Sequence, residues 1–162
     1  MKTAIYPGTF DPITIGHLDI IKRALKIFDK LIIAVGTQEE KKPLFSTEER
    51  VELVKQATQN LDVEVEEFSG LFADFAKDKD TNIIIRGLRA VSDFEYEFQM
   101  AVMNTKLNKD LETVFLMTDK EHFYLSSSIV REMAAKKANI KDFVPENVSK
   151  ALENKFKYTK SP

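Results

Sequence analysis

Three short stretches of the 162-residue chain carry side chains suited to handling phosphate. The first is Tyr6-Pro7-Gly8-Thr9-Phe10-Asp11-Pro12-Ile13-Thr14-Ile15-Gly16-His17. Pro7 and Pro12 fix φ and withhold N–H donors, so it reads as a stiff loop and not as strand or helix interior. Thr9 and Asp11 sit between the prolines, and His17 stands in the first turn of a helix that begins at about Gly16. Free N–H groups at a helix start suit an anion. The dipole there disfavours a protonated imidazole, so His17 would give a phosphate oxygen one hydrogen bond as a neutral ring. A capping or surface histidine is the plainer alternative.

The second stretch is Arg86-Gly87-Leu88-Arg89, directly after an apolar run. Two forked guanidiniums around a glycine suit a polyphosphate, though pairing with Asp93 and Glu95 would also explain them. In the third, Ser126-Ser127-Ser128 precedes Arg131 by one helical turn. A plain N-cap needs only one serine. Lys41 and Lys42 matter only if the fold brings them to the same edge.

That edge has to come from the elements between. Residues 2–6 read as a short buried strand, and Leu18, Ile21, Leu25 and Phe28 recur at helical spacing. Leu31 to Val35 is a continuous apolar run, the pattern of a strand covered on both faces. Ser46 and Glu49 have capping-box spacing and open a helix toward Thr58. Val63 to Phe68 alternates in part, as a strand near a sheet edge does. A short helix with Leu71, Phe72, Phe75 and Ala76, a strand Asn82–Arg86, and a long helix from Ser92 to Leu107 follow. Then come strand Thr113–Met117, a helix from the serines through Lys137, and a last helix opened by Val144-Pro145-Glu146.

Five strands alternating with five helices predict a single α/β domain over 1–162, with a frayed tail from about Lys157. Its architecture would be a Rossmann-like, doubly wound parallel sheet with helices on both faces. Ligands of such sheets bind beyond the carboxyl ends of the strands, where strand order reverses. The phosphate-suited residues follow strands one, two, four and five.

Composition narrows the chemistry by exclusion. A formal net charge of −2 argues against a partner that is nucleic acid or anionic membrane. The absence of cysteine excludes disulfides, thiol catalysis and Cys-ligated zinc, and fits a cytoplasmic setting. With only two histidines, any divalent metal would need oxygen ligands, many of them from the substrate. No apolar run approaches the ~18 residues of a membrane helix. Neither Gly-x-x-x-x-Gly-Lys-Ser/Thr nor Gly-x-Gly-x-x-Gly occurs, which argues against a P-loop ATPase or a dinucleotide oxidoreductase.

Together the stretches resemble the nucleotidyltransferase superfamily. Thr14-Ile15-Gly16-His17 matches its Thr-x-Gly-His tetrad. Leu125-Ser126-Ser127-Ser128-Ile129-Val130-Arg131 matches its Ile-Ser-Ser-Ser/Thr-x-x-Arg motif, with Leu125 replacing the usual isoleucine. The segment Arg86 to Glu97 is similar to the bacterial phosphopantetheine adenylyltransferase family, and the likeness runs the length of the chain.

The resemblance implies reversible adenylyl transfer from ATP to 4′-phosphopantetheine, giving dephospho-coenzyme A and pyrophosphate in coenzyme A synthesis. By that resemblance Thr9, Lys41 and Arg86 hold phosphopantetheine, with Phe72 along its apolar arm. Thr9, Phe10, His17, Gly87, Leu88, Arg89 and Glu97 hold ATP, with the loop His122, Phe123, Tyr124, Leu125, Ser126, Ser127 and Ser128. That loop's wording differs from the commonest in the family. Mg²⁺ would ride on the ATP phosphates and not on protein side chains. A cytoplasmic homohexamer and feedback by coenzyme A are implied in the same way.

Elementary chemistry agrees with such a transfer. A phosphate monoester with second pKa about 6 is already largely a dianion at neutral pH, so it needs no general base. Catalysis would then come from alignment and from charge stabilisation by His17, Lys41, Arg89 and Ser127 during in-line attack. The long helix bears two apolar stripes, Phe94, Phe98, Ala101 and Val102 on one, Tyr96, Met100, Met103 and Leu107 on the other. One stripe suffices to pack on a sheet, so the second should meet either another subunit or the C-terminal helix. Two other readings stay open: a related enzyme using CTP or another acceptor, and a non-catalytic nucleotide-sensing module.

Overall fold

Ala4, Ile5 and Tyr6 lie at the centre of the computed structural model, which describes residues 1–37 and 42–157 (of Val91 and Ser92, the backbone). They belong to β1 (Thr3–Gly8), flanked in sequence by β2 (Lys30–Gly36), β3 (Val63–Phe68), β4 (Ile83–Leu88) and β5 (Glu112–Met117). The five strands form one parallel sheet in the order β3-β2-β1-β4-β5. Strand order therefore reverses between β1 and β4, beside the loop that ends in His17.

Ala4 to Tyr6 and Leu31 to Val35 are buried throughout, because helices cover both faces and no polar side is left to alternate. Among the described residues six α-helices do the covering: α1 (Ile15–Ala24), α2 (Thr47–Ala57), α3 (Phe72–Asp78), α4 (Val91–Leu107), α5 (Ser127–Ala135) and α6 (Glu146–Lys155). Ile21, Ile33, Val54, Val130 and Leu152 pack into the larger core on one face. Ile5, Ile32, Ile84 and Leu111 make the smaller core with Phe68 and Ala76 on the other. Fully burying a side chain such as Leu152 stabilises the fold by roughly 1.5–3 kcal/mol. β3 is an edge strand as expected, its outer carboxylates Glu64 and Glu66 paired to Lys30 and Lys79.

Several boundaries differ from those expected, each for a local reason. All six helical segments read from the sequence are present, and because both α5 and α6 follow β5 the last one stands outside the strand–helix alternation. β1 runs on through Pro7, which stays in register with Ala34 of β2. Pairing of β1 with β4 is limited to Ile5↔Ile84, so the missing N–H of Pro7 breaks no ladder bond there. β4 likewise continues past Arg86, placing Gly87 and Leu88 in the strand. Helix α1 stops at Ala24, short of Phe28, as Lys26 and Ile27 switch to bonds with Arg23 and Ala24 three residues back. Helix α5 ends at Ala135 because Lys137 turns left-handed (φ 60°). Ala138 N–H then closes onto the Met133 carbonyl.

Helix α4 departs most from expectation. Phe94 (45%), Phe98 (52%), Tyr96 (62%) and Met103 (51%) are all exposed, so both stripes are open and not only the second. Burial beneath the last helix is ruled out, since α6 packs on α2 and α5.

Candidate active site

Thr14 is the N-cap of α1, and its hydroxyl accepts the His17 N–H at 3.3 Å. In return the Thr14 N–H donates to His17 Nδ1 at 3.0 Å. This is a capping box with histidine where glutamate usually stands. Because Nδ1 accepts, the neutral ring keeps its proton on Nε2, away from the cap. Its pKa is pushed down from 6.5 to about 4, first by burial and then by the charges of Arg89 and Arg86. The neutral histidine expected from the sequence is present, but burial, not the helix dipole, is the leading cause.

A cleft of about 460 Å³ opens at the carboxyl ends of the strands beside His17. Thr9, Phe10 and Asp11 line it after β1, Lys42 after β2, Arg86, Gly87 and Arg89 from β4 onward, and Thr118 after β5. His122, Leu125, Ser126, Ser127, Ser128 and Arg131 close the far wall. Arg89 donates to Asp93 Oδ2 at 3.1 Å and to the Leu125 carbonyl at 3.3 Å, so half of the ion-pair alternative holds for it. Arg86 is gripped instead by both oxygens of Glu97, at 2.8 and 2.6 Å, and reaches the Pro7 carbonyl at 2.7 Å. Burial pulls the Arg86 pKa down, and the hydrogen bonds and charge of Glu97 more than reverse it. Burial also raises the phenol of Tyr6 at the cleft floor, against the pull of Arg86 and Arg89.

The three serines have three different local tasks. Ser126 caps α5 by accepting the Ile129 N–H, Ser127 donates to the Pro12 carbonyl at 2.7 Å, and Ser128 accepts from Arg131 Nη2 at 3.2 Å. Arg131 also holds the Asp11 carbonyl at 2.7 Å, which ties α5 to the first loop.

A second cavity of about 340 Å³ adjoins the cleft and shares Gly8, Thr9, Arg86 and Glu97 with it. Its other lining includes Phe68, Phe72, Tyr96, Met100 and Asn104. Phe72 stacks on Phe68 with centroids 4.5 Å apart and planes 12° apart. The Arg86–Glu97 pair thus stands on the wall between a polar cleft and a more apolar one.

Not every predicted residue reaches the site as expected. Leu88, Phe123 and Tyr124 do not line the cleft, and Tyr124 is 84% exposed. Phe10 borders the cleft, but its ring packs in the core against His17, centroids 4.9 Å apart, and is not offered to a ligand. Glu97 meets Arg86 rather than standing alone. A Cβ on Gly16 would meet nothing closer than Thr14 Oγ1 at 3.4 Å, so close packing within the protein is not what requires glycine there. Lys41 lies outside the described residues. Thr118 carries no signal in the sequence, and Thr14, Asp11, Asp93 and Arg131 stand in the motif stretches without an expected ligand, while Lys42 is brought to the edge on which its role depended. For Arg131 the serine motif carried the signal, and for Thr14 the capping pattern did.

Comparisons with known proteins show the family and the fold. A cytidylyltransferase-like family model matches residues 5–133. The chain is 55% identical over 161 residues to a phosphopantetheine adenylyltransferase of Clostridium botulinum, covering 99% of this chain and 98% of that one. A protein of the same name from Caldanaerobacter subterraneus is 54% identical over 158 residues, covering 97% and 99%. Among solved structures, a putative nicotinate-nucleotide adenylyltransferase from Vibrio parahaemolyticus superposes with TM-score 0.70 at 16% identity, covering 98% of each chain. A bifunctional NMN adenylyltransferase/ADP-ribose pyrophosphatase from Francisella tularensis gives TM-score 0.72 at 18% identity. There the match covers 98% of this chain and 50% of that longer one. At such identities these two show the fold alone.

Proposed function

The chain belongs to the cytidylyltransferase-like family and, within it, to the phosphopantetheine adenylyltransferases, and from that premise we propose how its own residues carry out adenylyl transfer. ATP is the donor, 4′-phosphopantetheine the acceptor, and dephospho-coenzyme A and pyrophosphate are the products. The triphosphate occupies the larger cleft, and the pantetheine arm occupies the adjoining cavity beside Phe72. The acceptor phosphate sits at Thr9 and Arg86. The observation that carries this reading is that Thr9 and Arg86 lie on the wall common to both cavities. There two ligands can bring a phosphate oxygen and an α-phosphorus together.

In the transfer, an acceptor phosphate oxygen forms a bond to the α-phosphorus as the bond to the β-phosphate oxygen breaks. Pyrophosphate departs with that electron pair. The acceptor needs no base, because the phosphate dianion is itself the nucleophile. His17 donates from Nε2 to a non-bridging α-oxygen, where charge grows in the transition state. Arg89 and Ser127 hold the polyphosphate from the opposite walls, and Lys41, outside the described residues, is assigned to the transferring group. The rate gain from holding both partners in line comes mainly from alignment.

Among the described residues, the three carboxylates lining the cleft are committed elsewhere. Asp11 accepts from the Leu44 and Phe45 amides, Asp93 pairs with Arg89, and Glu97 with Arg86. Among the described residues no group of three or more acidic or histidine side chains could hold a metal ion. Mg²⁺ bound to the ATP phosphates fits this donor set and would neutralise the polyphosphate. The open apolar face of α4 supports a homo-oligomer, a homohexamer by family likeness. No described helix is long and apolar enough to cross a membrane, and a cytoplasmic setting is part of the proposal. Coenzyme A, which contains the product, would compete for the same two cavities.

The test is a substrate panel with purified protein, Mg²⁺, ATP or CTP, and phosphorylated acceptors including nicotinate mononucleotide, following pyrophosphate release. Release should require ATP together with phosphopantetheine. Release with CTP or another acceptor instead would move the chain to a different activity, and binding without release would make it a sensor.

A further inference from the structure

We propose that Arg50, which lies outside the cleft, is a positioning residue for adenylyl transfer: it fixes the Thr9–Phe10 peptide so that the Phe10 N–H is presented to the reacting phosphates. The proposal rests on the reading of the cleft given above.

Arg50 sits in α2 and is 0% exposed, although arginine is seldom fully buried. Its partners are three carbonyls and a hydroxyl, not a carboxylate. Nη1 donates to the carbonyls of Thr9 and Gly36, each at 2.7 Å. Nε donates to the Phe45 carbonyl at 3.2 Å, and Nη2 to Thr47 Oγ1 at 3.1 Å. A buried cation spent on main-chain carbonyls costs desolvation that an apolar side chain of the same length would avoid. What it achieves is to join the carboxyl ends of β1 and β2 to the turn before α2.

The Thr9 carbonyl belongs to the same peptide as the Phe10 N–H. In a trans peptide the two point in opposite directions, so a carbonyl held by the interior guanidinium turns its N–H away from the interior. Phe10 lines the cleft although the residue as a whole is only 1% exposed, its ring packed between Tyr6 and His17. Among the described residues its N–H has no hydrogen-bond partner. Phe10 also adopts φ 50°, a left-handed conformation that a bulky residue keeps only when its surroundings dictate it. The dictating contacts stand on both sides: Arg50 on the Thr9 carbonyl, and the Leu44 and Phe45 amides on the Asp11 carboxylate at 2.9 and 3.0 Å. A charged donor on the carbonyl also polarises the peptide and strengthens its N–H as a donor.

The experiment compares Arg50→Met, Arg50→Lys and the unaltered chain by kinetics and by amide NMR with inorganic pyrophosphate as probe. Asn147→Ala serves as a control, because Asn147 braces the Leu53 carbonyl of the same helix without touching the loop. In the native chain, pyrophosphate should shift the Phe10 amide resonance, and in Arg50→Met that shift should be lost. Arg50→Met should lower kcat by about 10²-fold with KM changed much less, as expected of a misplaced donor. Arg50→Lys should recover part of that loss, and Asn147→Ala should lower Tm with kcat unchanged. If Arg50→Met does not fold, the Lys variant decides alone, and it should show reduced kcat and a weakened Phe10 response. A kcat within threefold of native in the folded Arg50 variants, or a native Phe10 amide blind to pyrophosphate, overturns the proposal. A native chain that transfers no adenylyl group yet shows the Phe10 response overturns the functional reading and leaves the positioning by Arg50 standing.

Discussion

The Nδ1 of His17 accepts the backbone N–H of Thr14 at 3.0 Å, so one bond fixes both the end of helix α1 and the tautomer of the ring. Removing the imidazole should therefore cost catalysis and also a cap. His17→Ala is expected to lower kcat by ~10²–10³, the usual consequence of losing one charge-stabilising donor. KM should change less. Losing one half of the capping box should take about 1 kcal/mol from stability, read by denaturant titration. Near-normal turnover would remove His17 from the mechanism.

The depressed pKa of His17 sets the direction of a pH effect on stability. Its folded value of about 4 lies below the ordinary 6.5, so between these pH values the unfolded chain holds a proton that the folded chain does not. Stability contributed by this group should be fully present above about pH 6.5 and lost as pH falls toward 4, by at most on the order of 3 kcal/mol. Urea unfolding of the native chain and of His17→Asn across pH 4–8 checks it: the two curves should converge at low pH. In the activity profile, an acid limb near pH 6 should track the acceptor phosphate and persist in the Asn variant.

Arg86 and Glu97 share the wall between the two cavities, so their pair should govern the acceptor more than the nucleotide. Arg86→Ala is expected to raise KM for phosphopantetheine at least tenfold with little change for ATP, as loss of a charged hydrogen bond of about 1.5–3 kcal/mol implies. Arg89→Ala should show the reverse pattern. An effect of Arg86→Ala confined to ATP would exchange the two assignments.

Gly8 tests the packing behind the cleft. A Cβ there would stand 2.9 Å from the Phe10 ring, which is itself held between Tyr6 and His17. Gly8→Ala should destabilise the fold by about 1–3 kcal/mol and lower kcat by displacing Phe10. A thermal scan showing unchanged Tm would mean that the ring has room to move.

Helix α4 predicts self-association. With Phe94, Tyr96, Phe98 and Met103 all open, light scattering at working concentration should give a mass several times 18.6 kDa. Phe98→Glu should lower it. A monomeric native chain would contradict the oligomer.

Much of this was legible in the sequence where one local rule settles the outcome. Leu31 to Val35 could only be a doubly covered strand, and Ser46 with Glu49 could hardly fail to cap a helix. The arginines, serines and histidine reached one edge because a parallel sheet sends all strand ends the same way. What stayed hidden depends on partners distant in the chain. The sequence does not say that Arg50 reaches the Thr9 carbonyl 41 residues away, or that Glu97 takes Arg86 in preference to Asp93 or Glu95. Phe10 reads as a loop aromatic until the core claims its ring, and Tyr124 sits beside the site in sequence yet faces solvent. The neutrality of His17 was legible, but its main cause, burial, is a property of the packed molecule.

The central claim is direct in-line displacement at the α-phosphorus without a covalent intermediate. The measurement that tests it is the configuration of the product formed from phosphopantetheine and one diastereomer of ATP thio-substituted at the α-phosphorus. A single displacement predicts dephospho-coenzyme A with that phosphorus inverted. Retention would require two displacements through an adenylylated protein, and would contradict the mechanism built on Thr9, His17 and Arg86.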